Sequence, residues 1–378
     1  MKLTQVAAAI VASLVGSASA AISSVVTGTP MGFASSVTGG GTATPVYPTT
    51  IDELKSYLTS SSAEVIVISG TFDFAGSEGT QTEEACNAYS CTPSDGGQAL
   101  LNTLDGCGST AVYDVTIDTA AYQGIAVASD KTLVGTDGAT LNGKGLVFNG
   151  VSNIIIQNIA ITNLNPEYVW GGDALSFTDT NNIWIDHVTT SSLGRQHYSF
   201  GTGSNNAVTI SNSFIDGSTD YSATCDGHTY WGLELVGSGD FITFYQNWVY
   251  YTSGRSPALS GNTVFHAVNN VWSSNSGHLI EGTDDGMGLY EGNYFINTPT
   301  IVADGFVGQL FSSESADLSQ CDTYLGRNCV VNLLGSDTGT FDYDQYGWFS
   351  DLSGRPIVAA ASASSIATSV VDNAGNTL

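Results

Sequence analysis

Cationic side chains are rare in this 378-residue chain, which has eight Lys and Arg residues against 35 Asp and Glu residues. A guanidinium stays charged near neutral pH and donates several hydrogen bonds in a fixed planar geometry. An arginine held in a site can therefore stabilise negative charge that develops on a substrate. The basic residues after position 20 are Lys55, Lys131, Lys144, Arg195, Arg255, Arg327 and Arg355.

Two of these arginines lie in short motifs whose order along the chain is informative. The segments are VWGGDA (169–174), WIDH (184–187), GRQH (194–197), DYSATC (220–225) and SGRSP (253–257). Together they resemble the pectin lyases of the pectate lyase superfamily, and the resemblance extends from about Thr27 to the C-terminus. It implies an all-β, right-handed parallel β-helix that cleaves methyl-esterified galacturonan by β-elimination. GRQH is the motif that separates pectin lyases from pectate lyases.

The resemblance implies that Arg255 takes the proton from C5 of a galacturonate ester, after which the C4–O4 bond breaks. A free guanidinium does not give up its proton near neutral pH, so this role comes from the family alone. A second cation would favour that loss, and Arg195 could supply it. The structural alternatives are a solvated surface cation at Arg255 and a structural ion pair between Arg195 and Asp173.

The expected substrate also determines whether the reaction needs a metal ion. Removing a proton beside a carboxylate builds a dianion, which calls for a divalent cation, whereas a methyl ester gives a monoanionic enolate. Pectate lyases bind calcium through carboxylates in the corresponding region, and here GRQH places Arg195 there, with Asp173 as its partner. We therefore predict a site with no metal and no other cofactor.

Aromatic residues near these motifs are candidates for sugar binding, which commonly uses ring faces beside a few polar groups. Trp170, Trp231 and Tyr230 match aromatic cleft positions of the family, and packing in the core or at the rim is the less favoured alternative for the two tryptophans. The first long loop of the family typically brings further tryptophans, and none occurs between Gly76 and Ser109. Ala258 lies where some relatives have lysine.

Three other functions remain open on the same fold, because fold alone does not determine function. These are a calcium-dependent pectate lyase, a β-helix polygalacturonase and a non-catalytic carbohydrate-binding solenoid. A polygalacturonase would need acids flanking the scissile bond, and Asp284 with Asp285 is the one suggestive pair. A binding solenoid would not require Arg255.

A spaced self-similarity predicts the element that positions these motifs. Short β-prone runs end in a polar residue at intervals of 29, 25, 35, 23 and 23 residues. Such periods without amphipathic helices indicate a solenoid with one coil per repeat. Stacked Asn side chains could form a ladder at the bends, where His187 is better explained as a structural residue than as a catalytic one. The repeat ends are Asn158, His187, Asn212, Asn247, Asn270 and Asn293.

Other segments predict the ends and excursions of this solenoid. Residues 49–58 form a helical pattern with Thr50 as N-cap and Glu53 three residues later, typical of a capping box, and we expect this helix to cover one open end. Residues 76–109 are interpreted as a long loop. Residues 362–370 are expected to pack along the outside. No linker marks a second domain, so 21–378 is predicted to be a single catalytic domain.

The first twenty residues predict export. Lys2, an apolar run and the Ala18–Ala20 cleavage pattern are typical of a secretory signal peptide, although a buried N-terminal helix is the alternative. Six cysteines in an exported chain should be paired, and fifteen pairings are possible. The resemblance implies that Cys91 pairs with Cys225, Cys321 with Cys329, and Cys86 with Cys107.

The net negative charge of the chain limits the classes of partner that it can bind. Without Lys2 the chain has seven basic and 35 acidic residues, a net charge of −28. Such a surface repels nucleic acid and anionic membranes, and a neutral or esterified polysaccharide fits it better than a polyanion. We expect a secreted monomer whose partner is methyl-esterified pectin.

Overall fold

The computed structural model describes residues 21–313 and 319–378. The predicted signal peptide, 1–20, lies outside the described residues. The described chain is a right-handed parallel β-helix, as predicted, in which strands of successive coils pair in parallel on three faces. Short β-branched and aromatic runs form these strands because their side chains alternate between the core and the outside.

The first two faces belong to one continuous 16-stranded sheet, because two long strands bend from one face onto the other. The strands of the first face are Glu64–Asp73, Lys131–Asn142, Ser152–Gln157, Thr180–Asp186, Asn205–Ser211, Phe241–Tyr245, Val264–Val268, Thr283–Glu291 and Val307–Phe311. The other strands of the second face are Ala160–Leu164, Thr189–Leu193, Phe214–Asp216, Trp248–Tyr250, Val271–Ser273, Tyr294–Ile296 and Leu333–Leu334.

The third face is a separate parallel sheet of six strands. It consists of Ile125–Ala126, Leu146–Asn149, Leu175–Thr178, Tyr198–Phe200, Leu233–Leu235 and Ala258–Leu259. Its inward residues stack in register, so that the rings of Phe148, Phe177 and Phe200 have centroid separations of 4.9 and 4.4 Å. Burying each ring stabilises the coil by roughly 1.5–3 kcal/mol, which fixes the sheet that carries the site.

The asparagine ladder is present, but the predicted alignment of the coils is wrong by one residue. Asn158, His187 and Asn212 lie one position earlier in their coils than the stacked asparagines of the later coils. Strand register places Asn158, His187 and Asn212 in line with Gln246, Asn269 and Gly292, all with positive φ. The stacked amides lie one position later: Nδ2 of Asn247 donates to Oδ1 of Asn270 at 3.1 Å, and Nδ2 of Asn270 to Oδ1 of Asn293 at 3.0 Å. Asn332 continues the ladder from Asn293.

Helix α1, Ile51–Thr59, covers the N-terminal end of the solenoid, and its Leu54 and Leu58 are buried in the main core. Thr50 caps it by accepting from the backbone N–H of Glu53, whose carboxylate in turn accepts from the N–H of Thr49. The predicted capping helix is therefore confirmed.

The segment interpreted as a loop over 76–109 is more ordered than predicted. It contributes strands to a small sheet formed by Thr80–Cys86, Ala99–Leu101, Val112–Asp118 and Tyr168–Val169, followed by helix α2, Thr119–Tyr122. The pairing of Thr80–Cys86 with Val112–Asp118 is antiparallel, so this excursion is a hairpin-like layer beside the third face. Its many Gly, Ser and Thr residues concealed the alternation of the strands.

The three disulfides are those that the resemblance implied: Cys86–Cys107, Cys91–Cys225 and Cys321–Cys329. The second has a sequence separation of 134 residues, for which the chain-entropy model gives about 5 kcal/mol of stabilisation. It fixes the excursion to the loop before the strand Leu233–Leu235.

The C-terminal segment returns along the outside of the solenoid. Helix α3 spans Gln320–Leu325 and helix α4 spans Ala363–Asn373. Ile366 and Val370 of α4 are buried against Val271 beside the second face, which agrees with the expected packing of 362–370. Short 3₁₀ turns occur at Gly32–Ala34, Pro93–Asp95, Thr103–Asp105 and Phe349–Leu352. None of the helices within 21–313 and 319–378 is long and apolar enough to cross a membrane.

Candidate active site

The third face carries the predicted site residues on its outer side and in the bends that lead into its strands. Ser199 pairs in register with Glu234, Glu234 with Ala258, and Ala258 bridges to Glu281. Because alternate residues of a strand point to opposite sides, these positions project away from the core that Phe200 and Leu235 fill. These residues of consecutive coils therefore form one outward-facing column that is polar except at Ala258.

Arg195 and Arg255 enter this column through tight bends that require glycine beside them. A Cβ on Gly194 would collide with the backbone oxygens of Tyr168 and Asn165, and a Cβ on Gly254 would collide with the ring of Tyr230. These close approaches account for the glycines of GRQH and SGRSP. They also bring each guanidinium onto the outer side of the third face.

Arg195 is paired mainly with Glu234, which the sequence did not single out. Nη2 of Arg195 donates to both Glu234 oxygens, at 2.7 and 2.8 Å, whereas Nη1 lies 3.6 Å from Oδ2 of the predicted partner Asp173. Asp173 instead accepts from the backbone N–H of Gln196 at 2.8 Å. Burial raises the pKa of the Asp173 carboxyl, and the nearby Arg195 and the Gln196 N–H oppose that effect.

Arg255 lies between two carboxylates. Its Nη1 donates to Glu234 at 2.8 Å and its Nε to Glu281 at 3.2 Å, and its φ is +38°. The sequence predicted that Arg195, partnered by Asp173, would act on Arg255 as a nearby second cation. Instead the Glu234 carboxylate separates the two guanidiniums, so their mutual repulsion is largely offset in the free protein.

Glu281 belongs to a cluster with a phenol and an imidazole. Its Oε2 accepts from Oη of Tyr230 at 2.5 Å and lies 2.7 Å from Nε2 of His278. Burial raises the pKa of Glu281, but the hydrogen bonds from His278 and Tyr230 and the charge of Arg255 outweigh it, so that the pKa is lowered. Burial and the bond to Glu281 raise the pKa of Tyr230. The hydroxyl of Tyr230, whose ring was predicted to bind substrate, thus donates to Glu281.

The two predicted tryptophans differ in how much ring surface they offer. Trp170 is 36% exposed, and one face is covered by Arg195, whose Cζ lies 3.7 Å from the ring centroid. Trp231 is 7% exposed, donates its indole N–H to Gln98 at 2.9 Å, and has the Cζ of Arg255 5.0 Å from its centroid. Trp170 therefore offers more accessible ring surface than Trp231, which is buried beside Arg255.

Two depressions along the third face flank the arginines. One, of about 280 Å³, is lined by Trp170, Asp173 and Tyr122 among others. The other, of about 370 Å³, is lined by Arg255, Glu234, Glu281, His278 and Phe306 among others. An extended chain of sugars could occupy both and pass over the arginines, and volumes of this order suit single sugar units.

Within the part of the chain that the structure describes, no group of three or more His, Cys, Asp or Glu side chains is arranged to hold a metal ion. At the predicted site, the carboxylates of Asp173 and Glu234 both face the guanidinium of Arg195. A fixed cation is thus already present between them.

Sequence reasoning missed Glu234, Glu281, His278 and Tyr89. A signal was available for one of them, because Glu234 in LELV is a charged residue between apolar strand residues. Tyr89 lies between two disulfide cysteines, and its ring packs edge-on against Trp231 at 6.3 Å. The alignment of coils brings Glu234, Glu281 and His278 beside the arginines, whereas Tyr89 comes from the disulfide-linked excursion.

Comparisons with known proteins agree with this geometry. Residues 99–377 match the family model described as pectate lyase. A probable pectin lyase E of Aspergillus niger is 75% identical over 96% of this chain and 98% of its own length, and pectin lyase A of Emericella nidulans is 50% identical over 97% and 99%.

Solved structures resemble the fold at low sequence identity. A pectate lyase from Bacillus sp. N165, solved in complex with trigalacturonate, has a TM-score of 0.59 at 18% identity and covers 92% of this chain and 98% of its own. A pectate lyase bound to a hexasaccharide has a TM-score of 0.56 at 14% identity and covers 92% and 97%. The chain belongs to the pectate lyase family of polysaccharide lyases, and its high-identity relatives within that family are fungal pectin lyases.

Proposed function

We propose that this protein is a pectin lyase that cleaves methyl-esterified galacturonan by β-elimination and leaves a 4,5-unsaturated sugar at the new end. The observation that carries the proposal is the pair of arginines fixed on Glu234 in an open groove of the third face. The 75% identity to a probable pectin lyase E supports the same reaction.

In this mechanism Arg255 removes the C5 proton, the electrons form the C4–C5 double bond, and the C4–O4 bond breaks. Arg195 remains charged and stabilises the enolate that develops on the ester carbonyl, since both carboxylates around it hold its guanidinium in place. Both carboxylates favour the charged guanidinium, so approach of a substrate must loosen the bonds of Arg255 to Glu234 or Glu281. Arg255 then releases its own proton to solvent, and only this neutral form can accept the proton from C5. Trp170 binds a neighbouring sugar through its accessible ring surface.

The charge distribution favours an esterified substrate. The groove contains Glu234 and Glu281 beside the arginines, and the whole chain is strongly acidic. A galacturonate methyl ester carries no charge into this field, whereas a free carboxylate would be repelled. The ester also needs only one fixed cation for its enolate, which Arg195 supplies.

The test is the ultraviolet absorbance of the unsaturated product, measured on highly esterified pectin and on polygalacturonate. We expect product from pectin and at least tenfold less from polygalacturonate under the same conditions. Preference for polygalacturonate would assign the chain to pectate lyases. Reducing ends formed without ultraviolet absorbance would indicate hydrolysis, and binding without product would indicate a carbohydrate-binding solenoid.

We further propose that the protein is exported after cleavage at Ala20 and acts as a monomer with one catalytic domain, 21–378. The signal-like N-terminus and the three disulfides support export, because disulfides persist in oxidising compartments. N-terminal sequencing of secreted protein, together with sedimentation analysis, would check both points. A mature N-terminus other than Ala21, or a stable dimer, would contradict them.

A further inference from the structure

Breaking the C4–O4 bond leaves negative charge on the sugar oxygen of the departing chain, and the arginines do not address that charge. A sugar alkoxide is a strong base, so a proton donor near O4 would lower the barrier to its departure. Within the described residues, a hydroxyl that lies near the arginines and is not already committed to the protein could supply that proton.

Most hydroxyl and N–H groups around the arginines are committed. The Tyr230 hydroxyl donates to Glu281, the Trp231 indole to Gln98, and the Ser199 hydroxyl faces Glu234 at 3.4 Å. Tyr89 differs, because its hydroxyl makes no hydrogen bond with any residue that the structure describes. Its ring is half-buried and packs in the apolar cluster that contains Trp231.

The position of Tyr89 is fixed from both sides. It lies between Cys86, which is bonded to Cys107, and Cys91, which is bonded to Cys225 in the loop before the third-face strand. Its ring contacts the edge of Trp231, the same ring over which Arg255 lies. A side chain held this way loses little conformational freedom when substrate binds.

The electrostatic surroundings of the Tyr89 phenol suit a group that donates a proton and later regains it. Burial raises the pKa of Tyr89, so the phenol is protonated at the start of the reaction, while the charges of Arg255 and Arg195 act in the opposite direction. Those two cations would stabilise the phenolate left after donation.

We propose that Tyr89 is the general acid that protonates the departing O4 oxygen. This inference rests on the proposed elimination but not on which group removes the C5 proton. The C5–H electrons form the C4–C5 double bond, the C4–O4 electrons remain on O4, and O4 takes the phenolic proton. The phenolate then regains a proton from solvent while the base releases the C5 proton, so that both groups return to their starting states.

The test compares Tyr89→Phe with the wild-type protein on two substrates. One is esterified pectin, and the other is a methyl-esterified galacturonide with a 4-nitrophenyl ether at C4, whose leaving group needs no proton. We expect kcat on pectin to fall by about 10²- to 10⁴-fold, the usual contribution of a general acid. On the aryl ether we expect a loss of less than tenfold.

The ratio of the two rates is measured in one preparation and does not depend on the folded fraction, so misfolding cannot imitate the result. Tyr47→Phe, which changes a largely exposed phenol, is the matched control and should alter neither rate. Equal losses on both substrates, or unchanged turnover of pectin, would overturn the role of Tyr89. If the wild-type protein gave no unsaturated product from pectin, the proposed function itself would fail.

Discussion

Arg195 and Arg255 donate to the same oxygen atom, Oε1 of Glu234, at 2.7 and 2.8 Å. The two guanidiniums come from the bends before Tyr198–Phe200 and Ala258–Leu259, and Glu234 lies on Leu233–Leu235, the strand between these two in the third face. One carboxylate therefore fixes the separation and orientation of both cations. Removing its charge should affect both arginines together.

We expect Glu234→Gln to lower kcat on esterified pectin by at least tenfold, because the guanidiniums lose their shared anchor and repel each other. The free energy of unfolding should fall by about 1–3 kcal/mol, the usual cost of leaving a partly buried polar partner unpaired. Steady-state kinetics and urea unfolding measure both effects. Asp372→Asn, on an exposed position of α4, makes the same change in net charge and should be neutral.

Arg255→Lys should nearly abolish turnover while the protein remains folded. Lysine keeps the charge but differs in reach, geometry and acidity, so a base role would be lost at about 10²- to 10⁴-fold. Arg195→Lys should cost less, since a cation remains near the enolate. Rates and melting temperatures of both variants are compared with Arg355→Lys, whose arginine lies over Phe241. Retention of more than a tenth of kcat in Arg255→Lys would assign proton removal to another group.

Chelators should leave activity on esterified pectin intact. The carboxylates Asp173 and Glu234 face Arg195, which supplies the fixed positive charge that a divalent cation would otherwise provide. The measurement is the rate of product formation after dialysis against EDTA, with and without added calcium. A large loss that calcium restores would transfer the chain to the calcium-dependent pectate lyases.

Much of the fold could be predicted from the sequence, because the composition of the strands and the spacing of the repeats can be recognised in short segments. The ladder shows the limit: Asn212 and Asn247 looked equivalent, yet their polar side chains occupy successive positions of the coil. Glu234 and Glu281 could not be placed beside the arginines, because the loops between coils vary in length and only strand register aligns them. Long-range register is set by core packing, not by local propensity.

Trp170→Ala should raise KM for pectin by about tenfold, or roughly 1.4 kcal/mol, with a smaller change in kcat. Its accessible ring surface can bind the substrate and the transition state about equally, whereas Trp170→Phe should retain most of the affinity. Trp231→Ala should behave differently, since its buried ring lies beside Arg255: we expect loss of kcat and a lower melting temperature. Unchanged KM in Trp170→Ala would place that ring outside the substrate path.

Asp240 should make the fold less stable as the pH rises. Burial raises the pKa of this carboxyl from its ordinary value of 3.8 to about 7, although the backbone and side chain of Asn205 donate to it. Between about pH 4 and pH 7 the folded chain retains a proton that the unfolded chain releases, so the free energy of unfolding falls with rising pH and levels off above pH 7. The contribution of this one group is on the order of a few kcal/mol.

Asp240→Asn keeps an oxygen that can accept from Asn205 but removes the titration. We therefore expect the variant to gain stability relative to the wild-type protein at pH 7 and to show little difference at pH 4. Urea unfolding of both proteins at several pH values isolates the effect, because all other carboxylates are common to the two. Asp226, whose pKa is about 2 because hydrogen bonds from Ser276, Thr224 and other groups outweigh its burial, destabilises both proteins equally when the pH falls through that value. A stability difference that does not change between pH 4 and pH 7 would show that Asp240 is ionised throughout this range.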